Sequence, residues 1–190
     1  MKRSRKSTIT ADYIKKYSPI KRGLKIADED EPVAHYNKII SRLYLVNSIA
    51  AEDAEFFKKK NIKAVLNCTK DISNTFVKKD IEYMRIPVDD SLKEVDFEKM
   101  YNFLPVMVEF IHKHIDLQKN NCFVHCYAGR QRSAVSVAAY LIKYHKMTPK
   151  EACKFILEQR VEAFHFGLSL NFEQALERYY KDLQKCKPKK

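Results

Sequence analysis

The stretch that most constrains this chain is "NNCFVHCYAGRQRSAVSVAAYLI", running from Asn120 to Ile142. From Ser133 to Tyr144 the sequence is apolar nearly all round, which predicts a helix buried in the centre of a domain rather than lying on its surface. Such a helix must be enclosed by other elements. The short apolar run before it, "CFVHC", predicts the strand that leads into it. Between strand and helix sits a five-residue loop that holds one of only three glycines in the chain.

The rest of the chain supplies the enclosure. "IISRLYLV" (Ile39 to Val46) and "IKAVLNCT" (Ile62 to Thr69) read as strands, with the amphipathic "SIAAEDAEFFKKKN" between them as a helix. "IEYMRIPV" (Ile81 to Val88) reads as a third strand. Phe97, Met100, Tyr101, Leu104, Met107, Val108 and Ile111 then share one helical face. Thr148, Pro149 and Glu151 mark a helix start with a capping box, and a last helix covers about Asn171 to Leu183. Alternating strands and helices predict an α/β domain with a central, mostly parallel sheet flanked by helices. With 190 residues, 45% of them hydrophobic, the chain has material for one sizeable core. The longest uncharged stretch of the opening segment is too short to span a membrane, which takes about 20 apolar residues.

The net charge of +12 belongs to the ends. Residues 1–25 hold nine Lys or Arg against one Asp, and residues 181–190 hold five Lys against one Asp, which leaves the middle neutral. The expected organisation is a basic extension over residues 1–38, a catalytic domain over 39–183 and a basic tail over 184–190. Such ends suit an acidic partner, an anionic lipid or nucleic acid, or are simply solvated. No apolar segment follows the basic start, so it does not read as a secretory signal. The five cysteines are odd in number and irregularly spaced, which predicts reduced thiols in an intracellular setting, cytoplasmic or nuclear, with mitochondrial targeting left open.

Strand, tight loop, helix is a geometry that binds phosphate. Backbone N–H groups from Tyr127 to Gln131 converge on an anion, the helix dipole adds favourable potential, and Gly129 lets the chain turn where a Cβ would clash. Arg132 adds a planar fork for two phosphoryl oxygens, which a lysine cannot supply. The same surroundings favour the thiolate of Cys126 and place a nucleophile inside the cradle. Attack on a phosphate monoester through a cysteinyl-phosphate intermediate is the chemistry this suits. The leaving oxygen needs a proton, and Asp89 or Asp90, directly after the third strand, is placed to supply it. Ser133 is expected to hydrogen-bond the sulfur and ease its departure, and His125 to orient the loop through its ring nitrogens. Cys122, His125 and Cys126 do not read as metal ligands, since residues four apart on a strand lie about 13 Å apart. No metal and no cofactor is expected.

These residues resemble the cysteine-based protein tyrosine phosphatase superfamily and, within it, the dual-specificity phosphatases. The likeness rests on His125-Cys126-x5-Arg132-Ser133, "RLYLVNSIAAED", "VLNCT", "IPVDDS" and the closing "LNFEQAL", where Leu170 stands in place of the family's proline. It implies Cys126 as nucleophile, Arg132 as phosphate clamp and Asp90 as general acid. The chain has no tryptophan, so the acid loop of the tyrosine-specific enzymes is missing. A shallower site is implied, open to phosphotyrosine and to phosphoserine and phosphothreonine of proteins. Arg130 is the departure: loops similar to "AGRQRS" occur in phosphatidylglycerophosphate phosphatases, and basic loops recur in phosphoinositide enzymes. A phospholipid or RNA 5′-triphosphate phosphatase is therefore the alternative, and an inactive phosphate-binding protein a third. The resemblance to some virus-encoded relatives leaves a homodimer through the amino-terminal extension open.

Overall fold

The computed structural model describes residues 34–77, 80–91, 93–164 and 170–186. The expectations for residues 1–33 and 187–190 lie outside the described residues. The elements are β1 (Tyr36–Ile40), β2 (Leu43–Val46), α1 (Ser48–Ala51), α2 (Ala54–Lys59), β3 (Ile62–Asn67), β4 (Glu82–Arg85) and α3 (Glu94–His112). A π-helical turn (Lys113–Leu117) extends α3, followed by β5 (Asn121–His125), α4 (Arg132–Tyr144), α5 (Pro149–Gln159) and α6 (Leu170–Lys185). The strands form one sheet in the order β1-β2-β5-β3-β4. Strands β2, β5, β3 and β4 run parallel, and β1 pairs antiparallel with β2.

Side chains alternate across each strand, and the sheet therefore separates two apolar clusters. Leu43, Leu45, Ala64, Leu66, Cys122 and Val124 face the larger cluster with α3, α4, α5 and α6. Tyr44, Val46, Val65 and Phe123 face the smaller one with Phe56 and Phe57 of α2. Every residue of α4 from Ser133 to Ile142 is buried, as its all-round apolarity predicts. Its one bulky polar group there, the Tyr140 hydroxyl, donates to Asp116 at 2.7 Å.

Two segments differ from the sequence reading. The single strand expected over Ile39 to Val46 is a hairpin that turns at Ser41 and Arg42, with Arg42 at φ +66°. The helix expected after it is two short ones, because the Asp53 carboxylate accepts from the N–H groups of Glu55 and Phe56 and starts a second helix there. The capping box is present: Glu151 N–H donates to Thr148 Oγ1 at 3.3 Å and Thr148 N–H donates to Glu151 Oε2 at 2.8 Å.

Candidate active site

Because β2, β5, β3 and β4 are parallel, their carboxyl ends at Val46, His125, Asn67 and Arg85 meet along one edge, where ligands of such sheets bind. The loop of residues 126–131 leaves β5 at this edge and enters α4.

The loop is shaped from outside. Ser48 N–H donates to the Tyr127 carbonyl at 2.9 Å and Phe164 N–H to the Arg130 carbonyl at 3.0 Å. The buried Arg160 guanidinium reaches the carbonyls of Gly129 through Nε at 3.0 Å and Ala128 through Nη2 at 3.3 Å. Four successive carbonyls are thus engaged behind the loop, and a turn held this way presents its N–H groups to the concave side. Gly129 is required twice over: its φ is +66°, and a Cβ there would meet the Val46 carbonyl oxygen at 2.5 Å.

Cys126 lies at the base of this concavity, 2% exposed, and Ser133 Oγ donates to its Sγ at 3.2 Å. Arg132, the first residue of α4, donates from Nη1 to the Val88 carbonyl at 3.1 Å, while its Nε is buried and without a partner among the described residues. A phosphoryl oxygen is a ligand that would satisfy that donor.

The two aspartates after β4 have different surroundings. Asp89 accepts from Lys70 Nζ at 2.8 Å, and this bond holds its carboxyl below the usual carboxylate range. Asp90 is open to solvent along part of its side chain, but crowding of the carboxyl by protein raises its pKa, opposed in part by the Arg132 charge. The raised pKa suits a proton donor, and the ion pair at Asp89 does not.

His125 is buried, and burial pushes its imidazole down to about 4, so the ring is neutral at physiological pH. Its Nδ1 has no hydrogen-bond partner among the described residues, and the ring packs on Phe123 with centroids 5.7 Å apart. Arg160 holds the carbonyl side of the loop, a contact that sequence reasoning missed. Nothing in "EQRVEA" marks that arginine as anything but an ordinary helix end. Tyr127 and Arg130 complete the loop, with Tyr127 exposed and Arg130 partly exposed.

The model of the dual specificity phosphatase catalytic domain matches residues 43–182. The chain belongs to the dual specificity phosphatase family. Human dual specificity protein phosphatase 21 is 32% identical to this chain over 117 residues, covering 62% of the chain and 58% of the relative. Mouse dual specificity protein phosphatase 18 is 33% identical over 116 residues, covering 61% of the chain and 58% of the relative. The chain thus spans less than two thirds of the length of these relatives. A crystal structure of a leucine rich repeat and phosphatase domain containing protein from Entamoeba histolytica matches with a TM-score of 0.68 at 18% identity, covering 81% of this chain and 96% of that one. The sequence match extends through the loop of residues 126–131.

Proposed function

We propose that this chain hydrolyses phosphate monoesters on phosphotyrosine and on phosphoserine and phosphothreonine of proteins through a cysteinyl-phosphate intermediate. The observation that carries the reading is the buried Nε of Arg132, without a partner among the described residues, beside a cysteine at the base of a loop whose carbonyls are engaged elsewhere. In the first step the Cys126 thiolate attacks phosphorus. The S–P bond forms as the P–O bond to the leaving group breaks, and the Asp90 proton passes to the leaving oxygen. The loop N–H groups and Arg132 take the charge that spreads over the equatorial oxygens. In the second step water attacks phosphorus, the Asp90 carboxylate accepts its proton, and the S–P bond breaks with Ser133 donating to the departing sulfur. Phosphate-ester hydrolysis is among the slowest uncatalysed reactions, with enhancements up to about 10^21-fold known, so nucleophile, clamp and acid must act together.

A second reading has one supporting observation. Arg130 sits in the loop with its carbonyl engaged and its side chain partly exposed, and its charge would suit a second anionic group such as that of a phospholipid or an RNA 5′-triphosphate. A solved structure of PTPMT1 in complex with PI(5)P has a TM-score of 0.64 to this chain at 21% identity. Under either reading the basic ends hold the domain near acidic partners or anionic membrane.

The test is phosphate release by wild type and Cys126→Ser from matched phosphotyrosine and phosphothreonine peptides, phosphatidylglycerophosphate, phosphoinositides and a 5′-triphosphate RNA. The expected result is turnover of both peptides that Cys126→Ser abolishes. A preference of about tenfold or more in kcat/KM for lipid or RNA, equivalent to about 1.4 kcal/mol of transition-state binding, would replace the protein reading with the second. Turnover that survives Cys126→Ser would overturn both.

A further inference from the structure

The segment Val88 to Ser91 that carries Asp90 is pinned at three points. The Val88 carbonyl accepts from Arg132, the Asp89 carboxylate accepts from Lys70, and Ser91 Oγ donates to the buried Asp96 carboxylate. Two of these anchors lie within elements already fixed in the core. The third, Lys70, is on the loop after β3, and that loop is knitted more tightly than its length suggests.

Arg85 at the end of β4 donates to three of its carbonyls: Nε to Thr69 at 3.0 Å, and Nη2 to Lys70 at 2.7 Å and Ile72 at 2.6 Å. From inside, the buried Asn67 accepts from Thr69 N–H at 3.1 Å and Thr69 Oγ1 at 2.7 Å, and donates to the Ile72 carbonyl at 2.8 Å. The backbone at Lys70 is thereby held on both sides, and its ammonium is delivered to Asp89 from a fixed base.

We propose that Lys70 is a positioning residue for the proton donor: its ion pair with Asp89 holds the neighbouring Asp90 carboxyl over the phosphate loop. The inference rests on the function proposed above and names a residue that acts through Asp89, without touching substrate. The bland alternative is that Lys70 merely adds positive charge at the mouth of the site and attracts anionic substrate. The two differ in which substrates feel the loss. A misplaced donor slows an alkyl phosphate, whose leaving oxygen needs the proton, and spares an activated aryl phosphate, whose leaving group departs without it. Lost attraction lowers kcat/KM for both alike.

The pair is exposed, with side chains 49% and 41% accessible, and this bounds the effect. Lys70→Met should lower kcat/KM for a phosphothreonine peptide about three- to fivefold, the range an exposed ion pair supports, and leave the activated aryl phosphate within about twofold of wild type. Asp89→Asn should give the same selective loss, and the double variant should lose no more than either single one. The charge-swapped variant Lys70→Asp with Asp89→Lys should recover most of the peptide rate. Raising the salt concentration should bring wild type down towards Lys70→Met on the peptide, since an exposed pair is screened.

Equal losses on both substrates would assign Lys70 to charge attraction and overturn the inference. So would a loss in Lys70→Met that Asp89→Asn does not share, or peptide rates unchanged in both variants. In each of those outcomes wild-type turnover stands, and the function proposed above with it. Absence of any wild-type turnover overturns that function instead, and the positioning role falls with it.

Discussion

Asp89 and Asp90 are chemically identical and adjacent, and their surroundings send them in opposite directions. Asp89 has its carboxyl pKa lowered by Lys70, so it stabilises the folded state above the unfolded carboxylate pKa of about 3.9 and loses that contribution as pH falls. Asp90 is exposed as a residue, but protein crowding its carboxyl raises the pKa, so its ionisation works against the fold as pH rises through that raised value. At pH 7, Asp90→Asn is therefore expected to raise Tm and Asp89→Asn to lower it, with the Asp90→Asn gain vanishing near pH 4. The same Asp90→Asn variant should slow a phosphothreonine peptide by about 100-fold or more, the contribution of one general acid, and an activated aryl phosphate far less. A Tm lowered at pH 7 by Asp90→Asn, or equal slowing of both substrates, would remove Asp90 from the role of donor.

At the scale of elements, α5 both packs on the core and brings Arg160 to the back of the phosphate loop. That guanidinium also donates to the Ala34 carbonyl at 2.9 Å and to Asn37 Oδ1 at 2.6 Å, so one side chain spans β1, the loop and α5. Arg160→Met is expected to leave four acceptors without their donor, the Gly129 carbonyl at a buried bond and the other three at partly buried ones. It should cost on the order of 3 kcal/mol in chemical denaturation and depress turnover together with inorganic-phosphate affinity. Full phosphate affinity in that variant would mean that the loop holds its shape without the arginine. Apolar patterning made α3 and α4 legible in the sequence, because amphipathic or all-apolar helices have few alternatives, and the Thr148-Pro149-Glu151 start signal made α5 so. The hairpin was illegible because Ser41-Arg42 carries none of the Asn-Gly or Gly signals that announce a two-residue turn, yet Arg42 takes up the left-handed conformation there. The His-Cys-x5-Arg-Ser spacing disclosed the cradle itself. Arg160 and Lys70 were not legible, since long-range contacts to backbone carbonyls and exposed ion pairs leave no mark in local spacing.

Across the whole molecule, one sheet separates two cores and brings the residues of the site together along its carboxyl edge, so occupancy of that edge is coupled to global stability. Inorganic phosphate at about 100 times its Kd should stabilise wild type by about 2.7 kcal/mol, read as a rise in Tm. Cys126→Ser should show a comparable rise, because the loop and Arg132 remain; loss of the rise would count against the cradle as the anion site. The placement of Gly129 against the Val46 carbonyl sets a boundary for anyone wishing to redesign this site. Its floor has no room for one added carbon, whereas Tyr127 is 68% exposed on the outer side of the same loop. Changes in what the site accepts have to be made at the rim, at Tyr127 and Arg130, and the floor must be left as it is.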